Sequence, residues 1–207
     1  PVLSARILAV TLNPPWNVPV SIATKEFLPK LRRNPAYLEA HEIVIANRVG
    51  GDPYGRDIDW NAVGSRGFPY TFRQLPGPRN SLGVVKLEMP NRFDVYLHDT
   101  PTKALFARSQ RYFSHGCVRL ERAIDMAVAV IANENEWNRD SIGAAIRTGA
   151  TRRIDLVNPI PVHILYWTAF ATEAGQVNFR EDAYGRDGPL IAALSAPDTD
   201  FAASGAP

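Results

Sequence analysis

The chain contains one cysteine, Cys117, and it stands in the run Ser114-His115-Gly116-Cys117-Val118-Arg119-Leu120, two residues after a histidine. These types in this order suit a nucleophilic thiol. The residues that follow predict a helix, and a thiolate near a helix N-terminus is stabilised by the dipole and by unpaired backbone N–H groups, which lowers its pKa. Gly116 opens turn conformations closed to other residues. The N–H groups of His115, Gly116 and Cys117 can then converge on one oxygen, as an oxyanion hole requires. Arg119 adds positive charge nearby and has the fork to grip a carboxylate. A thiol needs a base, and His98 is the natural candidate. It ends a strand in which period-two geometry puts Tyr96 and His98 on one face and Val95 and Leu97 on the other. Asp99, as the adjacent residue, points away from that face, so a backbone carbonyl is expected to orient the His98 ring. Thiolate–imidazolium pairing would supply an active nucleophile at neutral pH, and His98 would return a proton to a leaving amine.

The elements that must position these groups follow from the local pattern. Residues 83–89 and 93–98 read as two strands joined by Pro90-Asn91-Arg92, a hairpin by its turn chemistry. Residues 4–13 read as a strand, and the three prolines among Asn13-Pro14-Pro15-Trp16-Asn17-Val18-Pro19 forbid a ladder there, which makes that segment an ordered loop. Ser21 is placed to cap a helix running toward Arg33, with Pro29 kinking or ending it. Residues 35–41 form a second short helix, with His41 at its end, and 42–48 a strand. Residues 49–80 are loop-rich. Such a long excursion is usually a functional cover, so 24–80 is read as a lid inserted into the domain. Residues 100–108 form a short helix or turn, and Ile124, Val128 and Ile131 recur at helical spacing in a helix over 121–133. Asp140 is read as the cap of a helix ending at Gly149. Strands are expected over 153–157, 161–171 and 177–180, the last two joined by a turn at 173–176. The tail beyond Leu194 is read as frayed. Strands outnumber helices and pair through hairpins. The fold class is therefore α+β: mainly antiparallel β, a sandwich or mixed sheet with helices on its flanks.

Composition narrows the function. The 207 residues are 45% apolar and 21% charged, which suits a globular domain. The balance of 23 basic against 21 acidic residues is too even for a nucleic-acid footprint. No run of 18 apolar residues exists, so this segment is not read as membrane-spanning. The chain does not begin with Met and is expected to belong to a larger precursor. One cysteine excludes an intramolecular disulfide and a four-cysteine zinc site. A second thiol outside the cytoplasm would invite a disulfide, so a lone reactive cysteine is sensible there.

A histidine at a strand end followed by Ser-His-Gly-Cys-Val-Arg resembles the signature of the L,D-transpeptidase catalytic domain of the YkuD type. The wider chain resembles its longer YcbB-like subgroup through Asn13-Pro14-Pro15-Trp16-Asn17-Val18-Pro19, Leu28-Pro29-Lys30-Leu31, Pro76-Gly77-Pro78-Arg79-Asn80, Val95-Tyr96-Leu97-His98-Asp99-Thr100-Pro101 and the stretch from Pro161 to Ala169. The resemblance implies a YkuD-like fold and a periplasmic, exported peptidoglycan enzyme without metal or cofactor. It would attack a donor stem tetrapeptide at the L-centre of diaminopimelate, release D-alanine and pass the acyl group to an acceptor stem amine as a 3–3 cross-link. Cys117 is then the nucleophile and His98 the base, while His115, Gly116 and Cys117 provide the oxyanion hole. Ser114, Arg119, Tyr96 and Trp16 would contact substrate, and carbapenem-type β-lactams are expected to acylate the thiol. The implied division is a catalytic domain over 1–23 and 81–194, a capping subdomain over 24–80 and a flexible tail over 195–207. Family domains usually begin with further strands before the segment matching Pro1, whose absence would leave an unpaired sheet edge.

Other readings remain open on the residues alone. The same thiol with water as acceptor makes an L,D-carboxypeptidase or endopeptidase. A non-catalytic wall-binding module needs neither Cys117 nor His98. His115, His98 and Cys117 match a His₂Cys zinc set that lacks a fourth ligand. Trp167 is read as a packing aromatic, and His163 as a hydrogen-bonded structural histidine. Arg119 reads equally as a substrate grip or a structural ion-pair partner, and the run Lys30-Leu31-Arg32-Arg33 as a solvated face, with a polyanionic glycan contact as the weaker option.

Overall fold

A computed structural model describes residues 2–132 and 137–195. These fall into two compact units, one of residues 3–163 and one that begins at residue 164. The first holds a five-stranded sheet built around strand β1 (Leu3–Leu12). Its other strands are β5 (Val85–Glu88), β6 (Leu97–His98), β7 (Val118–Arg119) and β8 (Arg152–Ile164), in the order β7-β6-β5-β1-β8. The β1–β5 and β5–β6 pairs are antiparallel, as the hairpin chemistry predicts, and β6–β7 is parallel. β1 lies inside the sheet with β8 beside it, so the unpaired edge expected for the missing strands does not fall there. The fold is the mixed, mainly β class expected, with helices on the flanks.

Register divides the sheet into two faces. Val10 opposes Leu87 and Leu12 opposes Val85, and Leu87 opposes Leu97. All of these are buried. Helix α4 (Ala123–Val130) packs on β5 and α5 (Arg139–Arg147) on β1. The cap of α5 is Asn138, whose side chain accepts from Asp140 and Ser141 in a capping box, and not Asp140 as the sequence suggested. At the other end of α5, Asn13 donates through Nδ2 to the carbonyls of Ala145, Ile146 and Ala150. Asn13 takes a left-handed conformation at φ 47°, which asparagine tolerates better than most residues.

A second hydrophobic cluster draws all its members from residues 16–72. Leu28, Leu31, Leu38, Ile43, Trp60 and Phe72 are fully buried in it, with Trp16, Tyr37 and Phe68 packed around them. Its three-stranded sheet has the order β2 (Trp16–Asn17), β4 (Phe72–Gln74), β3 (Ile43–Ile45), all antiparallel. β2 corrects the loop expected among the prolines, because Trp16 and Asn17 keep their N–H groups and reach Gln74 and Arg73. The helix expected toward Arg33 starts after Pro19, not at a Ser21 cap, as α1 (Val20–Ile22). It passes through a π-helical turn, Ala23–Phe27, into α2 (Leu28–Arg33). Pro29 neither ends nor breaks it. Its ring crowds the carbonyl four residues back, and the widened turn, with Leu28 N–H reaching Ala23, makes room. Helix α3 (Tyr37–Ala40) follows, and His41 hydrogen-bonds the Tyr37 carbonyl.

The second unit holds the expected hairpin, β9 (Ala169–Ala171) against β10 (Val177–Phe179), and a helix the sequence reading did not anticipate, α6 (Asp187–Ser195). Trp167 is 66% exposed, which corrects its assignment as a packing aromatic. Most of the tail expected to fray lies outside the described residues.

Candidate active site

The parallel pairing of β6 with β7 builds the site. Leu97 opposes Val118 and His98 opposes Arg119, with Val118 N–H on the Tyr96 carbonyl and Leu120 N–H on that of His98. Opposed residues share a face, so Tyr96, His98, Cys117 and Arg119 project from the side opposite α4, while Val95 and Leu97 pack the core as expected. Lys86, opposite His98 on β5, joins them. The two halves of the site are nineteen residues apart in sequence and adjacent in space only through this pair.

His98 is buried, and its Nδ1 lies 2.5 Å from the Asp99 carbonyl oxygen. A carbonyl only accepts, so Nδ1 carries the hydrogen and Nε2 keeps its lone pair. The backbone carbonyl foreseen as the orienting group is therefore present. The Asp99 carboxylate is occupied elsewhere, accepting from Val84 N–H at 3.0 Å and from Lys103 Nζ at 2.6 Å. Lys103 also donates to the carbonyls of Leu120 and Glu121, tying the end of β7 to the end of β6. Gly83 is required beside this carboxylate. Its φ is +59°, and a Cβ there would come within 2.3 Å of Asp99 Oδ2. Burial pushes the His98 imidazole below its ordinary pKa, and the positive charges of Arg119 and Lys86 add to that, against the Asp99 carbonyl and carboxylate. The preformed imidazolium expected from the sequence is thus disfavoured. A neutral ring with a free lone pair suits proton uptake during attack.

Cys117 is half-buried, and its thiol points to the Asp94 carbonyl at 3.9 Å. Among the described residues no hydrogen bond joins it to His98. Helix α4 starts only at Ala123, with β7 between, so the thiol does not sit at a helix N-terminus and the expected dipole effect is absent. The charges beside it are side chains. Burial pushes the Tyr96 phenol well up from its ordinary value and the neighbouring Cys117 sulfur adds to the rise, while the Trp16 indole N–H opposes it. Tyr96 therefore stays protonated and faces sulfur as a donor. Trp16 itself packs edge-on against Phe27 of the second cluster.

Gly116 has φ +129°, the conformational freedom expected of it. Its N–H is taken by Ser114 Oγ at 3.2 Å, whereas the N–H groups of His115 and Cys117 make no hydrogen bond among the described residues. The His115 ring turns outward, Nε2 2.7 Å from Glu26 Oε1 on the π-helical turn. Arg119 is half-buried, and its Nε is enclosed without a hydrogen-bond partner; among the described residues it has no ion pair. That weighs against a structural ion pair for Arg119. His163 hydrogen-bonds Ser4 Oγ at 2.8 Å, the structural role expected of it. No group of three or more His, Cys, Asp or Glu among the described residues could hold a metal ion, and no helix there is long and apolar enough to cross a membrane. Sequence reasoning missed Lys86 and Lys103; the β5–β6 register fixes the first and the i,i+4 spacing from Asp99 signals the second.

A family model for the L,D-transpeptidase catalytic domain (YkuD) matches residues 1–136. A Haemophilus influenzae protein named "Putative L,D-transpeptidase" is 33% identical over 187 residues, 90% of this chain. The chain spans 37% of that relative's length.

Proposed function

Because the chain belongs to the YkuD-type L,D-transpeptidase catalytic-domain family, we propose that it cross-links peptidoglycan stem peptides through a thioester on Cys117. Cys117 Sγ attacks the carbonyl at the L-centre of diaminopimelate in the donor tetrapeptide, and His98 Nε2 takes the thiol proton. The N–H groups of His115 and Cys117 receive the oxyanion, and Tyr96 steadies the sulfur. When the intermediate collapses, the C–N bond breaks and His98 protonates the departing D-alanine. An acceptor amine then attacks the thioester, expels the thiolate and leaves a 3–3 cross-link. Arg119, with its unpartnered Nε, grips a substrate carboxylate. Residues 24–80 act as a cap over the site and help exclude water from the thioester. The activity is placed in the periplasm. The single observation that carries the reading is the β6–β7 register, which sets His98, Tyr96, Cys117 and Arg119 on one face.

Intact mass after incubation with a carbapenem tests it. Wild type gains one drug mass and Cys117→Ala gains none. A folded wild type without adduct, or an adduct that survives Cys117→Ala, refutes the assignment. Product analysis with donor alone separates transfer from hydrolysis: rapid release of the free tripeptide would favour the carboxypeptidase reading.

A further inference from the structure

Cys117 directly precedes strand β7, and the sheet itself gives that strand little hold. β7 is the outermost of the five strands and pairs with β6 over two residues, Leu97 with Val118 and His98 with Arg119. Most strands are longer, so this pair needs support from outside the ladder. The thiol points to the Asp94 carbonyl at 3.9 Å and must turn toward His98 to give up its proton. Its reach to Nε2 is set by where β7 holds the Cys117 backbone.

The support comes from behind the sheet. Lys103, on the 3₁₀ turn Lys103–Ala107, lines a cavity of about 290 Å³ with Asp99, Glu121 and the first residues of α4, on the face away from Cys117 and His98. An ammonium has three donors, and here all three are used. They go to Asp99 Oδ1 at 2.6 Å, the Glu121 carbonyl at 2.6 Å and the Leu120 carbonyl at 3.1 Å. Each end of this bridge is anchored in turn. Asp99 N–H donates to the Val85 carbonyl of β5, and the Asp99 carboxylate accepts from Val84 N–H. Leu120 N–H donates to the His98 carbonyl at 2.8 Å. The ammonium thus closes a ring of hydrogen bonds through β5, β6 and the end of β7. A lysine that only solvates a surface leaves its donors to water; this one, though half-exposed, commits them all to one ring.

We propose that Lys103 is a positioning residue for acylation: by bridging Asp99 to the Leu120 and Glu121 carbonyls it fixes β7 against β6 and keeps Cys117 within reach of His98. The proposal rests on the reading of Cys117 as nucleophile and His98 as its base. Lys103 touches neither substrate nor the reacting atoms, and its effect passes through the β7 backbone. Without the bridge β7 drifts, and a misplacement of about 1 Å between reacting groups costs about 10²-fold in rate.

The test follows acylation of the full chain by a carbapenem, using stopped flow and intact mass. Lys103→Met keeps the stem and loses the donors. Its rate is expected to fall about 10²-fold, further than in Asp99→Asn, which leaves both carbonyl bonds in place. Lys103→Arg, with several donors on one charged group, is expected to recover most of the loss. Asn13→Ala, remote from the site, is the control for stability and is expected to acylate at the wild-type rate. An equal fall per degree of Tm in Asn13→Ala and Lys103→Met overturns the proposal. The second readout is a double-mutant cycle. His98→Gln is expected to slow wild-type acylation about 10²–10⁴-fold, but less than about tenfold in the Lys103→Met background, where base and thiol are already misaligned. An undiminished effect of His98→Gln there also overturns the proposal. If Lys103→Met does not fold, Lys103→Gln, which keeps an amide donor without the charge, takes its place. A fall of about tenfold is expected of it, and a wild-type rate overturns the bridge. If wild type itself is not acylated, the reading of Cys117 falls and the role of Lys103 with it; wild type acylated at the same rate as Lys103→Met removes the positioning role alone.

Discussion

Replacing Asp99 with asparagine separates two roles that the residue next to a catalytic histidine is easily given. The Asp99 carbonyl orients His98, whereas its carboxylate holds Val84 N–H and Lys103 Nζ. Asp99→Asn keeps the carbonyl and removes the charge. A hydrogen bond to a charged group contributes roughly 1.5–3 kcal/mol. Lys103 is half-exposed, and its two carbonyl partners remain, so the net loss is discounted to about 1–2 kcal/mol. For a chain of this size that is a fall in Tm of roughly 2–8 °C. Acylation of Cys117 by a carbapenem at neutral pH is expected to stay within about tenfold of wild type, because the His98 tautomer is unchanged. Loss of the Asp99 charge lowers the His98 pKa further, so the acid limb of the acylation rate moves to lower pH. Thermal unfolding and stopped-flow acylation across pH 5–8 measure both. A drop of about 10⁴-fold in acylation with Tm intact, the behaviour of a true triad aspartate, would refute this division of labour.

The neighbouring Gly83→Ala is expected to cost about 3 kcal/mol or more by urea unfolding, from the left-handed backbone and from the Asp99 carboxylate it displaces. In an Asp99→Ala background the cost should shrink toward the backbone share, and strict additivity would contradict the clash. Asn13→Ala removes the side chain that satisfies three carbonyls around the end of α5 and should destabilise by about 2–3 kcal/mol. A loss under about 0.5 kcal/mol would show that those carbonyls find other partners. For His98 the folded pKa lies below the unfolded value of about 6.5. The unfolded chain therefore binds the extra proton first. Its contribution to stability is full above about pH 7 and falls as pH drops through 6.5 toward the folded pKa. Stability curves of wild type and His98→Gln should run parallel above pH 7 and converge below 6.5; parallel curves throughout would contradict a buried neutral ring.

Much of the site was legible because strand parity is local information. The alternation of Val95, Tyr96, Leu97 and His98 fixes which side chains leave the core, and the parity of Asp99 ruled out its carboxylate as the orienting group. The helix predicted after Cys117 was real, but it begins at Ala123 with strand β7 between it and the thiol, which removes the dipole from the sulfur. Helix ends are where side chains compete to cap, and Asn138 and Asp140 are equivalent to a pattern reading. The π-helical turn was hidden because Pro29 signals only that one hydrogen bond is missing, not how the chain compensates. Asn13 acts on carbonyls far along the chain, so no local pattern reports it.

The outer strand β8 carries Pro159 and Pro161 within its thirteen residues. Two residues apart, they leave two gaps on one side of the strand where backbone donors would otherwise stand. A long, twisted edge offers a template on which another chain can add as a further strand, and donor gaps spoil that template. Donor gaps on an outer strand weaken it as a template for self-association. The consequence concerns handling in solution: restoring the N–H groups by substitution at 159 and 161 should leave the site intact and make the protein more prone to aggregate.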